Sequence, residues 1–347
     1  MSDNHHIDGE DVRLYSERRF SAGRFSDDLF DMPDDAIIEE TSLPLSMCID
    51  ETCVPSEEHP TLSFEFYPAR GLDRLRANVA SVRRMLHMGT DFVTVTYGAA
   101  GSRQDGTKEL VSWLVQAGVP TFVHLTCQAD SLYELDETID DLLSLGVQGI
   151  LALRGDEQDG MNLVLPHATD LISRIRGRSE HADYNVRIIT AAFPTGHPES
   201  SSLVEDALTL VKKQEAGADF AITQHFFHAH EYGEFIELFK SHGGNLPVIP
   251  GLTPLTSLGR LKRMCQLANY DVPQDLLQRL TEAPDAHARR DIAVETCVKL
   301  VHDVKRLAVP GVQLFTMNDE PTAARIFHEI APLFGKEIYK KKGKIHG

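Results

Sequence analysis

Glu65 stands in a sequence context that could make it a general acid. It lies in TLSFEFYPAR, residues 61–70, where the apolar residues Phe64 and Phe66 alternate with polar ones before Pro68. Alternation with a period of two residues predicts a short strand. A carboxyl group flanked by two phenylalanines near the end of a strand would be partly desolvated, which favours its protonated form. For this segment alone, an edge-strand glutamate facing water is the alternative.

Further polar side chains follow later apolar segments. LALRGD ends in Arg154, Gly155 and Asp156, HLTC contains His124, and AITQ ends in Gln224. Two acids, an amide and several cationic groups suit a flat, heteroaromatic ligand that carries phosphates. No lysine ends such a segment, which disfavours a Schiff-base aldolase. The other candidate strand-end polar residues are Thr96, Tyr97, Thr126, Cys127 and Asn318.

A metal centre is a competing interpretation of these residues. His124, His197 and Asp156 could converge on an ion, but a metal-dependent hydrolase barrel usually opens with His-x-His where this chain has Phe-Glu-Phe. The segment HFFHAH adds three histidines, and loop histidines are more often solvated or hydrogen-bonded than ligating. We therefore expect no metal site. The three histidines of that segment are His225, His228 and His230.

The elements that must position these side chains form a recurring unit from residue 59 onward. In each unit a helix-like segment ends in Gly and a short apolar strand follows, as in HMGTDFVTVTYG and QAGVPTFVHLTC. Glycine supplies the left-handed conformation that ends a helix. We predict eight strands, near residues 61–67, 91–96, 120–126, 148–154, 186–193, 219–224, 246–250 and 312–316.

Alternating strands and amphipathic helices predict an α/β fold, a (β/α)8 TIM barrel with parallel strands. Residues 256–309 hold three further amphipathic segments, which we expect to be extra helices before strand 8. The alternative, a doubly wound open sheet, needs a Gly-rich phosphate turn, and YPARGLDR matches GxGxxG poorly. Because a barrel of this type forms its site at the C-terminal ends of the strands, the strand-end residues should meet at one mouth.

Charge divides the chain into three parts. Its 347 residues carry a formal net charge of −18, and residues 1–58 hold 16 acidic residues against four arginines, a charge of −12. We predict a flexible or loosely docked acidic N-terminal extension over residues 1–58, a barrel over 59–335 and a basic C-terminal tail over 336–347. A chain this acidic does not favour nucleic acid as a partner.

The sequence lacks signals for secretion, membrane insertion or a disulfide framework. No apolar run reaches the roughly 18 to 20 residues that cross a bilayer, and the N-terminus has neither the basic start nor the apolar stretch of a signal peptide. We therefore expect a cytoplasmic protein with no membrane partner. The cysteines lack CxxC spacing and fit reduced thiols. They are Cys48, Cys53, Cys127, Cys265 and Cys297.

The chain resembles the methylenetetrahydrofolate reductase family over about residues 60–333, and it is similar to the short bacterial type. Seven segments carry this resemblance in order and spacing: TLSFEFYPAR, DFVTVTYGAAGS, HLTC, LALRGD, AAFPTGHPES, GADFAITQHFF and PVIPGLTPL. The resemblance implies reduction of 5,10-methylenetetrahydrofolate to 5-methyltetrahydrofolate by NADH or NADPH through bound FAD. It also implies ping-pong kinetics, a role in feeding methionine synthesis, and a possible homo-oligomer.

The same resemblance implies roles for individual residues. Glu65 matches the acid that protonates the folate, so that its five-membered ring opens to an iminium that accepts hydride. Asp156 matches an acid beside the flavin and the pterin, and Gln224 matches a folate-binding amide. The residues that match the family's FAD contacts are Thr96, His124, Arg154, Gly155, Asp156, His197, Asp206 and Lys213. Lys213 could instead occupy a solvated helix face.

Three positions depart from the family pattern. Phe193 stands where a tyrosine is common, and Thr209 stands where an asparagine is common. Met264 replaces an aromatic residue that often stacks on substrate. We expect Met264 to form a softer, less directional substrate wall than a ring would. These changes leave open a flavin-free reductase with direct hydride transfer, and a non-catalytic barrel subunit is a further alternative.

Overall fold

The computed structural model describes residues 54–68, 72–96, 104–155, 162–267 and 270–336. The predicted N-terminal extension lies almost entirely outside these residues, as does most of the basic tail. The described strands are β1 (Thr61–Phe66), β2 (Phe92–Val95), β3 (Thr121–Thr126), β4 (Gly149–Leu153), β5 (Arg187–Ala192), β6 (Phe220–Thr223), β7 (Val248–Ile249), β8 (Gly251–Leu252) and β9 (Gly311–Phe315).

Helices follow most of the strands and surround them. The described helices are α1 (Leu72–Leu86), α2 (Gln104–Gln116), α3 (Leu132–Ser144), α4 (Ala168–His181), α5 (Leu203–Glu215), α6 (Ala229–Ser241), α7 (Leu258–Leu267), α8 (Gln274–Glu282), α9 (Ala286–Lys305) and α10 (Glu320–Ile330), and α10 continues into a short 3-10 helix at Ala331–Phe334. Helices α7, α8 and α9 confirm the prediction of extra helices before the last strand. Apolar residues of most of these helices cover the outside of the sheet. Those of α7 and α8 form a separate apolar cluster.

The described strands form one parallel sheet in the order β7-β6-β5-β4-β3-β2-β1-β9-β8. The two end strands, β7 and β8, are separated in the chain only by Pro250. The chain itself therefore closes the sheet, and the fold is the predicted TIM barrel.

The predicted seventh strand, residues 246–250, is corrected to two shorter strands. Pro250 interrupts the ladder because proline has no N–H to donate. Its carbonyl oxygen still accepts a hydrogen bond from the Gln313 backbone at 2.9 Å. On the other side, the Gly251 N–H donates to the hydroxyl of Thr223 at 2.9 Å. The break thus lets one chain segment pair with β6 before the proline and with β9 after it.

A layer of aromatic rings fills the barrel interior near the N-terminal ends of the strands. Phe92, Phe122 and Phe220 lie in an apolar cluster separate from the outer core, and their ring centroids are 5.1 to 6.0 Å apart in edge-on contacts. Such rings bury a large apolar area and pack with defined geometry. This end of the barrel is therefore closed to ligands.

A polar layer joins three strands inside the barrel. The hydroxyl of Ser63 in β1 donates to the side-chain oxygen of Gln313 in β9, and the Gln313 amide donates to the Thr94 hydroxyl in β2 at 2.7 Å. All three residues are buried. Side chains in a strand alternate between its two faces, so the next inward position of β1 after Ser63 is Glu65.

The cysteines within the described residues are buried free thiols, in agreement with the sequence prediction; they are Cys127, Cys265 and Cys297. Over the same part of the chain, no helix combines the length and the apolar character needed to cross a bilayer.

Gly149 provides a test of the interior packing. A Cβ at this first residue of β4 would overlap the carbonyl oxygen of Arg187 and the ring of Phe122. We expect Gly149→Ala to lower the free energy of unfolding by about 1–3 kcal/mol, the usual range for overpacking. Urea unfolding measures this change.

The matched control is Gly177→Ala within α4, where an added Cβ meets no atom within 4 Å. Alanine is the better helix former, so this variant should gain up to about 1 kcal/mol. Equal stability of the two variants would contradict the packing of β4 described above.

Candidate active site

Glu65 lies inside the barrel near the C-terminal end of β1, and it is only 5% exposed. Phe64 and Phe66 face the opposite way and pack in the outer core, where the ring of Phe64 lies 5.4 Å from that of Phe327 in α10. The expectation that the flanking phenylalanines desolvate Glu65 is therefore wrong. Neighbouring residues of a strand face opposite sides, and the barrel interior desolvates the carboxyl group instead.

His124 of β3 faces Glu65 across β2. Its Nε2 lies 3.4 Å from Oε2 of Glu65. This nitrogen forms no hydrogen bond with any residue that the structure describes. Burial raises the pKa of Glu65 to about 7 and lowers the pKa of His124 to about 4. Both groups are neutral between these two pH values. In that range the contact is therefore one between uncharged groups and not an ion pair.

Tyr67 shares the inward face of the β1 segment and hydrogen-bonds the Glu65 carboxyl group, which partly offsets the effect of burial on its pKa. Asn318 holds Tyr67 in place: its Oδ1 accepts from the Tyr67 N–H at 3.0 Å, and its Nδ2 donates to the Tyr67 carbonyl at 2.7 Å. The Thr316 hydroxyl donates to the Glu65 carbonyl at 2.7 Å. The sequence motifs did not identify Tyr67 as a site residue, although its spacing of two from Glu65 could have done so.

Three of the predicted cofactor contacts form a connected group between β5 and α5. Asp206 is buried, and its carboxylate accepts from the His197 N–H at 3.2 Å and from the Ser200 hydroxyl at 2.7 Å. Burial raises the pKa of Asp206. Lys213 is 8% exposed, so it is not on a solvated helix face, and its Nζ donates to the Ala191 carbonyl at 2.7 Å.

The charge of Lys213 is retained at neutral pH. Burial lowers its pKa to about 8, and the nearby Asp206 opposes that change. Its Nζ also lies 5.8 Å from the ring centroid of Phe193, whose ring packs edge-on against His197 at 4.7 Å. An ammonium group has three donors, so the bond to a carbonyl leaves capacity to bind an anionic ligand.

Arg154 and Gly155 follow β4 beside this group. Arg154 forms an ion pair with Glu199 and holds the pKa of that carboxyl below its usual range. The Glu199 N–H in turn donates to Nδ1 of His197 at 3.2 Å. Gly155 has a φ of +88°, and a Cβ there would lie 2.8 Å from the side-chain oxygen of Gln128. The positive φ is the feature that favours glycine at this turn, because the Gln128 side chain can move.

The other described polar candidates also lie at the C-terminal ends of strands. Thr96 directly follows β2, and its N–H donates to the Phe66 carbonyl at 3.0 Å. Gln224 directly follows β6, and its Oε1 accepts from the His225 N–H at 2.9 Å. Because all of the strands are parallel, these residues lie at the same end of the barrel as Glu65.

Met264 has different surroundings from the polar candidates. It is buried in an apolar cluster with Leu261 and Cys265 of α7 and with Leu276 of α8. Its contact with substrate remains a prediction. Asp156 lies outside the described residues. Within the described part of the chain, no three His, Cys, Asp or Glu side chains are placed to hold a metal ion.

Comparison with known proteins places the chain among folate enzymes. A family model described as methylenetetrahydrofolate reductase matches residues 51–331. Methylenetetrahydrofolate reductase 2 of Schizosaccharomyces pombe is 35% identical over 288 residues, which cover 76% of this chain and 44% of that protein. This chain thus spans less than half the length of that relative. The 5,10-methylenetetrahydrofolate reductase of Escherichia coli is 30% identical over 271 residues, which cover 78% of this chain and 90% of that protein.

A solved structure supports the fold. It is an uncharacterized protein from Clostridium thermocellum that binds two copies of 5-methyl-5,6,7,8-tetrahydrofolic acid, with a TM-score of 0.56 and 14% identity. The likeness covers 78% of this chain and 94% of that one. The family match spans most of the chain, and the Escherichia coli enzyme aligns over 90% of its own length, so this chain belongs to the methylenetetrahydrofolate reductase family of enzymes.

Proposed function

We propose that the chain reduces 5,10-methylenetetrahydrofolate to 5-methyltetrahydrofolate with electrons from NADH or NADPH. One observation carries this proposal: Glu65 is buried inside the barrel, and its pKa is raised to about 7. A large fraction of these carboxyl groups is therefore protonated near neutral pH. A general acid works best when its pKa lies near the working pH.

Glu65 donates its proton, directly or through water, to a nitrogen of the five-membered ring that holds the one-carbon unit. The bond between that nitrogen and the carbon breaks, and its electron pair stays on the nitrogen. The carbon becomes an iminium carbon, which accepts hydride to form the methyl group. Tyr67 holds the carboxyl group by its hydrogen bond, and burial keeps Tyr67 protonated as a donor by raising its pKa.

Gln224 is proposed to bind the pterin ring. A backbone N–H can only donate, so the Gln224 atom that contacts the His225 N–H at 2.9 Å is the oxygen. The amide NH2 is then the end that donates to an acceptor on the pterin. Asp156 and Met264 are proposed as further substrate contacts on the basis of the family resemblance.

FAD is the proposed cofactor, and several described residues fit it. The buried Nε2 of His124 lacks a hydrogen-bond partner in the described part of the chain. Gly155 makes a turn with a positive φ, and Lys213 and the Glu199-paired Arg154 are cations suited to phosphates. When bound there, FAD would supply the redox chemistry that carries a hydride from NAD(P)H to the folate. The remaining proposed contacts are Thr96, Asp156, His197 and Asp206.

The colour of the purified protein tests this proposal. We expect a yellow protein whose flavin absorbance bleaches when NADH or NADPH is added without oxygen, and returns when methylenetetrahydrofolate is added. A colourless protein that still oxidises NAD(P)H with the folate would show direct hydride transfer. A protein inert to both substrates would contradict the enzymatic function and support a non-catalytic subunit.

Substitution of Glu65 separates the two half-reactions. Glu65→Gln preserves size but removes the proton, so we expect flavin reduction by NAD(P)H to persist while folate reduction falls by about 100-fold or more. Stopped-flow absorbance measures both rates. The control is Glu137→Gln, which changes an exposed carboxylate on α3 and should leave both rates intact. Full rates of both half-reactions in Glu65→Gln would show that Glu65 is not the acid.

The folate half-reaction should depend on pH through Glu65. Its acid form predominates below its pKa of about 7, so the rate should be highest there and fall as pH rises through that value. Well above the pKa, the decline should approach about tenfold per pH unit. The flavin reduction step provides the internal control because it needs no proton from Glu65. A folate rate that stays constant from about pH 6 to pH 9 would contradict the assignment.

A further inference from the structure

A small cavity lies between the C-terminal ends of β6 and β8 and the helices α8 and α9. Its volume is about 20 Å³. His225 and Thr253 line it from the strand side, whereas Leu276 of α8 and Leu300 of α9 line it from the helix side. His225 directly follows Gln224, the proposed folate contact, in the chain.

Two buried polar atoms belong to the residues that line this cavity. Nε2 of His225 and Oγ1 of Thr253 have no hydrogen-bond partner among the residues that the structure describes. The two residues are only 6% and 3% exposed. A buried polar group without a partner is destabilising. Two such atoms around one small cavity therefore point to a polar occupant.

The hydrogen bonds of His225 determine which of its ring nitrogens carries the proton. Nδ1 lies 3.2 Å from the backbone N–H of Thr253 and accepts a hydrogen bond from it. Burial lowers the pKa of His225 to about 3, so the ring is neutral at physiological pH. A neutral imidazole has one donor and one acceptor. Nε2 is therefore the protonated nitrogen, and it needs an acceptor.

We propose that the cavity holds one water molecule, which accepts a hydrogen bond from Nε2 of His225 and donates one to Oγ1 of Thr253. The cavity exceeds the about 10–15 Å³ that one water molecule requires. A buried water also needs two to four polar partners. Thr296 in the lining offers a third, because its hydroxyl donates to the Ile292 carbonyl at 2.7 Å and can still accept.

This water completes a connection from the proposed folate contact to the neighbouring strand. Oε1 of Gln224 accepts from the His225 N–H, and Nδ1 of His225 accepts from the Thr253 N–H. The water joins the same two residues through their side chains. His225 is thus a positioning residue that fixes the segment carrying Gln224. This functional consequence rests on the proposed function, whereas the water site does not.

A high-resolution crystal structure of the full chain tests the water site. One ordered solvent peak is expected within hydrogen-bond distance of both Nε2 of His225 and Oγ1 of Thr253. Thr253→Ser keeps the hydroxyl and should retain the peak, while Thr253→Val removes the hydroxyl with little change in shape and should lose it. An empty cavity in the wild-type protein, or a direct hydrogen bond between the two side chains, would overturn the proposal.

Steady-state kinetics tests the positioning role. His225→Phe removes both ring nitrogens, and we expect the KM for methylenetetrahydrofolate to rise about fivefold, as loss of one hydrogen bond would cause. The rate of flavin reduction by NAD(P)H should not change. His225→Asn keeps an acceptor for the Thr253 N–H and should restore part of the KM.

Equal losses in both half-reactions of His225→Phe, or an unchanged KM, would refute the positioning role. A wild-type protein that does not reduce the folate would instead refute the proposed function. In that case the solvent peak alone decides whether the water site exists.

Discussion

A carboxyl group enclosed by parallel strands keeps its proton because the surroundings solvate its charge poorly. Glu65 is in this position, and burial is the main cause of its raised pKa. The aromatic layer closes the barrel near the N-terminal ends of the strands. Between this layer and Glu65, hydrogen bonds among Ser63, Thr94 and Gln313 join three strands. These two layers fix where the acid lies and which end of the barrel remains for substrate.

Parallel strands account for the rest of the arrangement. Each strand delivers its C-terminal residues to the same end, so groups far apart in sequence share one mouth. Burial keeps Glu65 and His124 uncharged between about pH 4 and pH 7, whereas the β5–α5 region contains the charged Lys213 with Asp206 nearby. This separation suits a ligand with an uncharged reactive ring and charged phosphates, as the proposed folate and flavin chemistry requires.

Local patterns in the sequence predicted the repeated units well, because glycine helix ends and alternating strands are encoded by neighbouring residues. They placed Glu65 and the extra helices correctly. They did not reveal that β7 and β8 are separate, since Pro250 acts through partners on two other strands. They also assigned the desolvation of Glu65 to its neighbours, although Phe64 packs against Phe327, far along the chain.

Contacts between distant residues explain what else was missed. Asn318 holds Tyr67 across 251 positions, and His225 meets Thr253 across 28. Such pairs have no signature in a single sequence. The most direct test of the central claim is a pH titration of Glu65 by infrared difference spectroscopy, with Glu65→Gln to identify its protonated carboxyl band. That band should disappear with a midpoint near pH 7. A midpoint near the ordinary value of 4.5 would contradict the account.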